Sequence, residues 1–283
     1  MNNTKKLLTA LMLTLTLIGC RVIQPRGING EHIGTELLKL RDSILQEGLD
    51  GEALYTLIGN IKPMSSVATF AFPIGNADSN KRLDEHLLAV DSLSYLKRIE
   101  QIQRAINLMD LPDLKFVLLP YRSHYSKSRI LQLSVVRISK LDSLLVAKSH
   151  FFGQYGFVPG TAPAVVLAVN EYEKKYERLR GYGYLFGYPD YAIDFFVHAF
   201  QQSDETGRRV ERKFFQIPTY ERNEGNFVYA YPLDHTSDKV DSTLYHQAKD
   251  VLEKYKLLRG RYLNRDSTLK AYELLENIAK SPL

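Results

Sequence analysis

The chain has 283 residues, of which 45% are hydrophobic, with 37 lysines and arginines against 32 aspartates and glutamates. The resulting net charge of +5 is too small for a nucleic-acid-binding face, which needs basic residues concentrated on one surface. Cysteine is absent after Cys20, which excludes disulfides, thiolate zinc sites and a cysteine nucleophile in the rest of the chain. Tryptophan is absent and tyrosine reaches eighteen, so any aromatic recognition falls to tyrosine and phenylalanine.

The chain opens with Lys5 and Lys6, followed by an apolar run from Leu7 to Ile18. A bilayer-spanning helix needs roughly twenty apolar residues; this run is shorter and reads as a secretory signal. Its end, Leu17-Ile18-Gly19-Cys20, resembles the lipobox of bacterial lipoprotein precursors. The resemblance implies cleavage before Cys20 and diacylglycerol on its sulfur, usually with a third acyl chain on the new amino terminus. Two or more acyl chains give stable membrane anchoring. Arg21 follows the cysteine where aspartate is a retention signal in some bacteria, which points to the outer rather than the inner membrane. The expected organisation is a signal peptide over 1–19, a lipidated tether over 20–30 and a single globular domain over 31–283. The tether reaches roughly 33 Å when extended, which would keep the body close to the lipid, in the periplasm or at the cell surface.

Thr35 to Gln46 reads as a short helix, and any helix from Glu52 to Ile58 must be brief, because Gly48, Gly51, Gly59 and Pro63 surround it. "VATFAFPI" reads as a strand and "GNADSN" as a loop. From Arg82 to Met109, apolar residues recur every three or four positions, which predicts a helix. "LKFVLLP" and "RILQLSVVRI" read as strands joined by the polar "YRSHYSKS". Lys140 to Phe152 and Ala164 to Leu179 read as helices. On the second, Val165, Val169, Tyr172, Tyr176 and Leu179 form the apolar face, and Glu171, Lys174, Lys175 and Arg178 solvate the other. "RKFFQIP" and "NFVYAYP" look like a strand pair. Two helices close the chain, the second capped by Asp266 or Ser267. The fold class is therefore α+β, an antiparallel sheet of about five strands packed with seven or eight helices.

The segment "GYGYLFGYPDY" reads as a glycine-rich aromatic loop. Pro189 suits the first residue of the helix that follows. Tyr182, Tyr184, Tyr188 and Tyr191 are the candidate ligand-binding residues. Asp190, Asp194 and His198 fall at i, i+4 and i+8, so Asp194 and His198 share a helix face. A carboxylate fixing an imidazole is the pairing of general-base catalysis, which makes these two the candidate catalytic residues. The structural alternative is that the tyrosines pack with their hydroxyls at the surface and that Asp194 and His198 are a solvated pair. Arg122, His124, Lys127 and Arg129 could hold an anion or form a polar hairpin tip, and "GRRVERK" reads as a basic loop. His150, His235 and His246 stand isolated along the chain.

No zinc helix, nucleophile elbow, phosphate loop or dinucleotide fingerprint occurs, so no metal or cofactor is expected. The leading reading is a non-enzymatic envelope lipoprotein that binds an envelope protein, peptide or other envelope component through its tyrosine-rich loop. The alternatives are a hydrolase-like or metal-dependent enzyme using His198 and Asp194, and a purely structural envelope protein.

Overall fold

Ten helices and five strands are formed among the residues described by the computed structural model, which are 34–73, 92–121, 128–223, 227–236 and 238–280. The expected leader, Cys20 and the tether lie outside them, as do the "GNADSN" loop, the start of the helix read from Arg82, and Arg122, His124 and Lys127. Residues from Thr35 onward belong to one compact unit.

The five strands make two antiparallel sheets, not one. β1 (Met64–Pro73), β2 (Leu114–Pro120) and β3 (Ser128–Arg137) form a three-stranded sheet with β3 central. β4 (Lys213–Ile217) and β5 (Phe227–Tyr231) pair only with each other. This corrects the single five-stranded sheet read from the sequence. Strand periodicity marks which residues extend, but which strands share a ladder depends on contacts distant in sequence.

The alternation of β3 explains the layering. Leu131, Leu133 and Val135 face a core built with α1 (Thr35–Asp50), α3 (Ser92–Asn107), α9 (Lys239–Arg259) and α10 (Ala271–Lys280). Val136 faces a second core with α4 (Ile138–Ala147), α5 (Ser149–Phe152), α6 (Pro163–Tyr172), α7 (Lys175–Leu185) and α8 (Asp190–Thr206). Gln132, on that second side, spends its amide on Thr69, the Ala68 carbonyl and the Leu133 carbonyl at 2.9, 3.1 and 3.0 Å, so its burial leaves no unmet polar group. The brief α2 (Leu54–Leu57) bridges the first core and the start of β1.

The largest departure from the sequence reading lies at the aromatic segment. The helix expected over Ala164–Leu179 breaks at Glu173 and Lys174, whose backbones are extended. The new helix, α7, then runs through "GYGYL" to Leu185, where a loop was expected. Gly181 and Gly183 are helical because neighbouring helices lean on them. A Cβ at Gly181 would lie 1.7 Å from Asn170 Oδ1, and one at Gly183 would lie 2.7 Å from Ile193 Cγ1. Helix propensity disfavours glycine, but the close approach of α6 and α8 requires it. Gly187 does make the turn, at φ +72°, with the Tyr188 amide donating to the Gly183 carbonyl at 3.0 Å. Pro189 sits at the N-cap of α8, one residue before its first turn.

The closing helix also starts later than read. Asp266 accepts from Thr268 in a local turn, while Asp42 of α1 accepts the Tyr272 amide at 3.1 Å. The N-terminus of α10 is thus served by a distant residue.

Gly183→Ala is expected to lower stability by about 1 kcal/mol net, since overpacking of about 1–3 kcal/mol exceeds the helix-propensity gain of about 1 kcal/mol. Ile193→Ala, which removes the Cγ1, Cγ2 and Cδ1 atoms that the new Cβ would meet, should cost less in the Gly183→Ala chain than in wild type, read as the denaturant midpoint in a double-mutant cycle. Equal midpoints for Gly183→Ala and wild type would show that the contact does not constrain the packing.

Candidate functional site

α7, α8 and the β4–β5 hairpin enclose a cavity of about 430 Å³. Arg178, Tyr182 and Phe186 follow one another at helical spacing along its α7 wall, with Gly183 beside them. Tyr188, Ile193 and Phe196 continue the wall, and Phe214, Val228 and Tyr229 close it from the hairpin. The rings of Tyr182, Phe186 and Tyr188 stack in sequence with centroids 5.7 Å apart at each step, and Tyr188 stacks onward on Phe227 at 6.1 Å.

Behind this ladder lies Lys62, whose side chain is fully buried. Its ammonium meets Glu52 at 3.1 Å and sits 4.2 Å from the Phe227 ring centroid and 5.1 Å from that of Phe186. Burial pulls the lysine pKa down, and Glu52 opposes the change only in part. The cation backs the aromatic wall by cation–π attraction.

The polar end of the cavity is the Glu171–Arg178 pair. The Glu171 side chain is 1% exposed and accepts from Arg178 Nη1 at 3.2 and 3.4 Å and from the Tyr182 hydroxyl at 2.6 Å. Both residues were read as solvating one helix face. The break at Glu173 and Lys174 changes the helix direction between them and turns them onto each other. Burial, then the bond to Glu171, raises the Tyr182 pKa, so the hydroxyl stays protonated and donates.

Behind the hairpin wall lies a second polar cluster. Asp241 is fully buried and accepts from the hydroxyls of Tyr191 and Tyr229 at 2.5 and 2.6 Å on Oδ1. On Oδ2 it meets His235 Nε2 at 3.0 Å and the Asp238 amide at 3.1 Å. A carboxylate only accepts, so His235 presents Nε2–H. The Tyr191 ring stacks on His235 at 4.3 Å. Asp241 also completes a capping box with Asp238 at the start of α9. The cluster therefore joins α8, β5 and α9. Burial by itself would raise the Asp241 pKa, but the bonds from Tyr191, Tyr229, His235 and Asp238 outweigh it and hold the carboxyl below its ordinary value.

The four candidate tyrosines are not one surface. Tyr182 and Tyr188 line the cavity. Tyr184 is buried in the second core against Phe151 and Phe152, at 5.4 and 6.1 Å, and Tyr191 serves Asp241. On a helix, residues 182 and 184 point to different sides, which a loop reading could not show. Asp194 pairs with Arg180, and His198 is exposed on α8. His150 and His246 are exposed on α5 and α9, and His235 is the histidine that meets a carboxylate among the described residues. No group of three or more metal-ligating side chains occurs among the described residues. The cavity residues missed in the sequence, Phe196, Phe214 and Tyr229, come from three elements and carry no shared local pattern.

Comparison with protein-family models, with curated proteins and with solved structures gave no match.

Because the Asp241 pKa is depressed on folding, its contribution is complete above the ordinary aspartate value of about 3.9 and is lost as pH falls through the lower folded value. Asp241→Asn is expected to cost about 2 kcal/mol at pH 7 and to flatten the acid limb of the stability profile, measured by urea unfolding between neutral pH and pH 3. An acid limb identical to wild type would assign the acid sensitivity elsewhere.

Proposed function

We propose that the protein is a lipid-anchored bacterial envelope protein that works by binding, holding an envelope component in the aromatic cavity between α7, α8 and the β4–β5 hairpin. The observation that carries this reading is the cavity itself. Its volume of about 430 Å³ falls within the roughly 300–1,000 Å³ typical of ligand sites, and its mainly apolar lining with a few fixed polar groups is the usual composition of such sites. Buried contacts support the walls on either side. Lys62 and Phe227 back one wall, and the Asp241 cluster ties the hairpin wall to α8 and α9. Binding then needs little ordering of the protein, which lowers its entropic cost.

The anchor rests on the lysine pair, the short apolar run and Cys20. Among the described residues no helix is long and apolar enough to cross a membrane, and lipid on Cys20 would hold the body at a membrane without such a helix.

Labelled palmitate fed to cells is expected to enter the wild-type protein and to be lost from Cys20→Ser, which should leave the membrane fraction. Label retained by the variant would refute the anchor. Native and denatured masses of the protein purified from its membranes test the cavity. Extra mass released on denaturation is expected for wild type, and Val228→Trp, which fills the cavity from a half-buried strand position, should lack it while keeping its unfolding midpoint. The same released mass in both would place binding elsewhere, and none in either would count against a stably held ligand.

A further inference from the structure

We infer that the cavity takes an anionic amphiphile, an acyl or aryl body ending in one carboxylate that seats on Arg178. This rests on the reading of the cavity as a binding site. The argument is an inventory of polar capacity along the lining. Glu171 already receives three hydrogen bonds from Arg178 and Tyr182. The Tyr182 hydroxyl is spent on Glu171, the Tyr229 hydroxyl is spent on Asp241, and Tyr121, which also lines the cavity, is not without a partner.

Arg178 is different. A guanidinium carries five N–H donors, and Arg178 engages Glu171 through Nη1 alone. Among the described residues its Nε and Nη2 donate to no protein group, and its side chain is 26% exposed, so a ligand can reach it. Among the described residues, the unspent capacity at the polar end of the cavity is therefore that of a donor. A ligand must bring acceptors there, and a ligand ammonium would meet a like charge. A carboxylate matches the planar fork of guanidinium through paired bonds. The remaining walls, including Leu179, Ile193, Phe196, Phe214 and Val228, offer apolar surface to the body of the ligand. The Tyr188 hydroxyl, deep in the wall, has no hydrogen-bond partner among the described residues, and burial raises its pKa so that it remains a donor.

The test uses the full-length protein in phosphatidylcholine vesicles, with protein-free vesicles as the blank. Titration calorimetry compares naphthalene-2-carboxylate, its methyl ester and naphthalen-2-ylmethylamine. The carboxylate is expected to bind about tenfold more tightly than the ester, the scale of one charge-assisted bidentate contact, and the amine more weakly than either. Arg178→Gln should reduce that preference to within about threefold. That variant leaves Glu171 buried without its cation and can fail to fold, so Glu171→Gln is the second arm. It keeps Arg178, leaves an amide oxygen to accept from Nη1 and removes a competing anion, and carboxylate affinity should rise while ester affinity stays unchanged. Equal binding of ester and carboxylate, or tighter binding of the amine, would overturn the head-group assignment and leave the cavity reading intact. No binding of any of the three would overturn both.

Discussion

The packing of α7 between α6 and α8 depends on two positions without side chains. At Gly181 the space of a Cβ is taken by the Asn170 amide, and at Gly183 it is taken by Ile193. Because both helices approach this closely, α7 is held at a fixed rotation. That rotation sends Tyr184 and Leu185 into the core and leaves Arg178, Tyr182 and Phe186 along the cavity. Protein interiors are packed as densely as organic crystals, so a rotation set at the glycines is passed on to every ring on the same helix. The cavity is in this sense a consequence of the two glycines, although Gly183 alone of them touches it.

Buried charge then stiffens the walls. Lys62, Glu171 and Asp241 come from separate parts of the chain, and each lies behind or beside an aromatic ring that faces the cavity. A buried ion costs free energy unless it is paired and hydrogen-bonded. Each of these three has such partners; for Glu171 and Asp241 they include the cavity tyrosines Tyr182 and Tyr229, and Lys62, paired with Glu52, also lies against the ring of Phe186. Holding the charge and holding the ring become one requirement. This favours a single arrangement of the Tyr182 and Tyr229 hydroxyls, each spent on a buried carboxylate, and it leaves apolar ring surface for a ligand.

Much of the architecture was legible locally. The strand pairs β2–β3 and β4–β5 follow from extended apolar runs close in sequence, and α1, α9 and α10 follow from apolar spacing. Two elements were misread for one reason. The glycines of "GYGYLFG" are loop formers by propensity, and the break at Glu173 and Lys174 contains neither glycine nor proline. In both cases tertiary packing overrode local preference. The sheet was misread as single because the β4–β5 hairpin packs its rings against Tyr188 and Tyr245 instead of adding to the β1 or β2 edge.

The sequence by itself determined composition-level facts and local patterns. It shows one cysteine placed after a short apolar run, no tryptophan, an α+β arrangement of elements, and an aromatic concentration before α8. Only the tertiary structure decided which aromatics face one another and which charges meet. Arg178 reaches Glu171 across a helix break, and Tyr191 reaches Asp241 across fifty residues of chain. The physical reason is that a side chain's direction follows from helix rotation and strand pairing, which contacts distant in sequence set. The residues that make the cavity are ordinary one by one, and their convergence exists only in the folded chain.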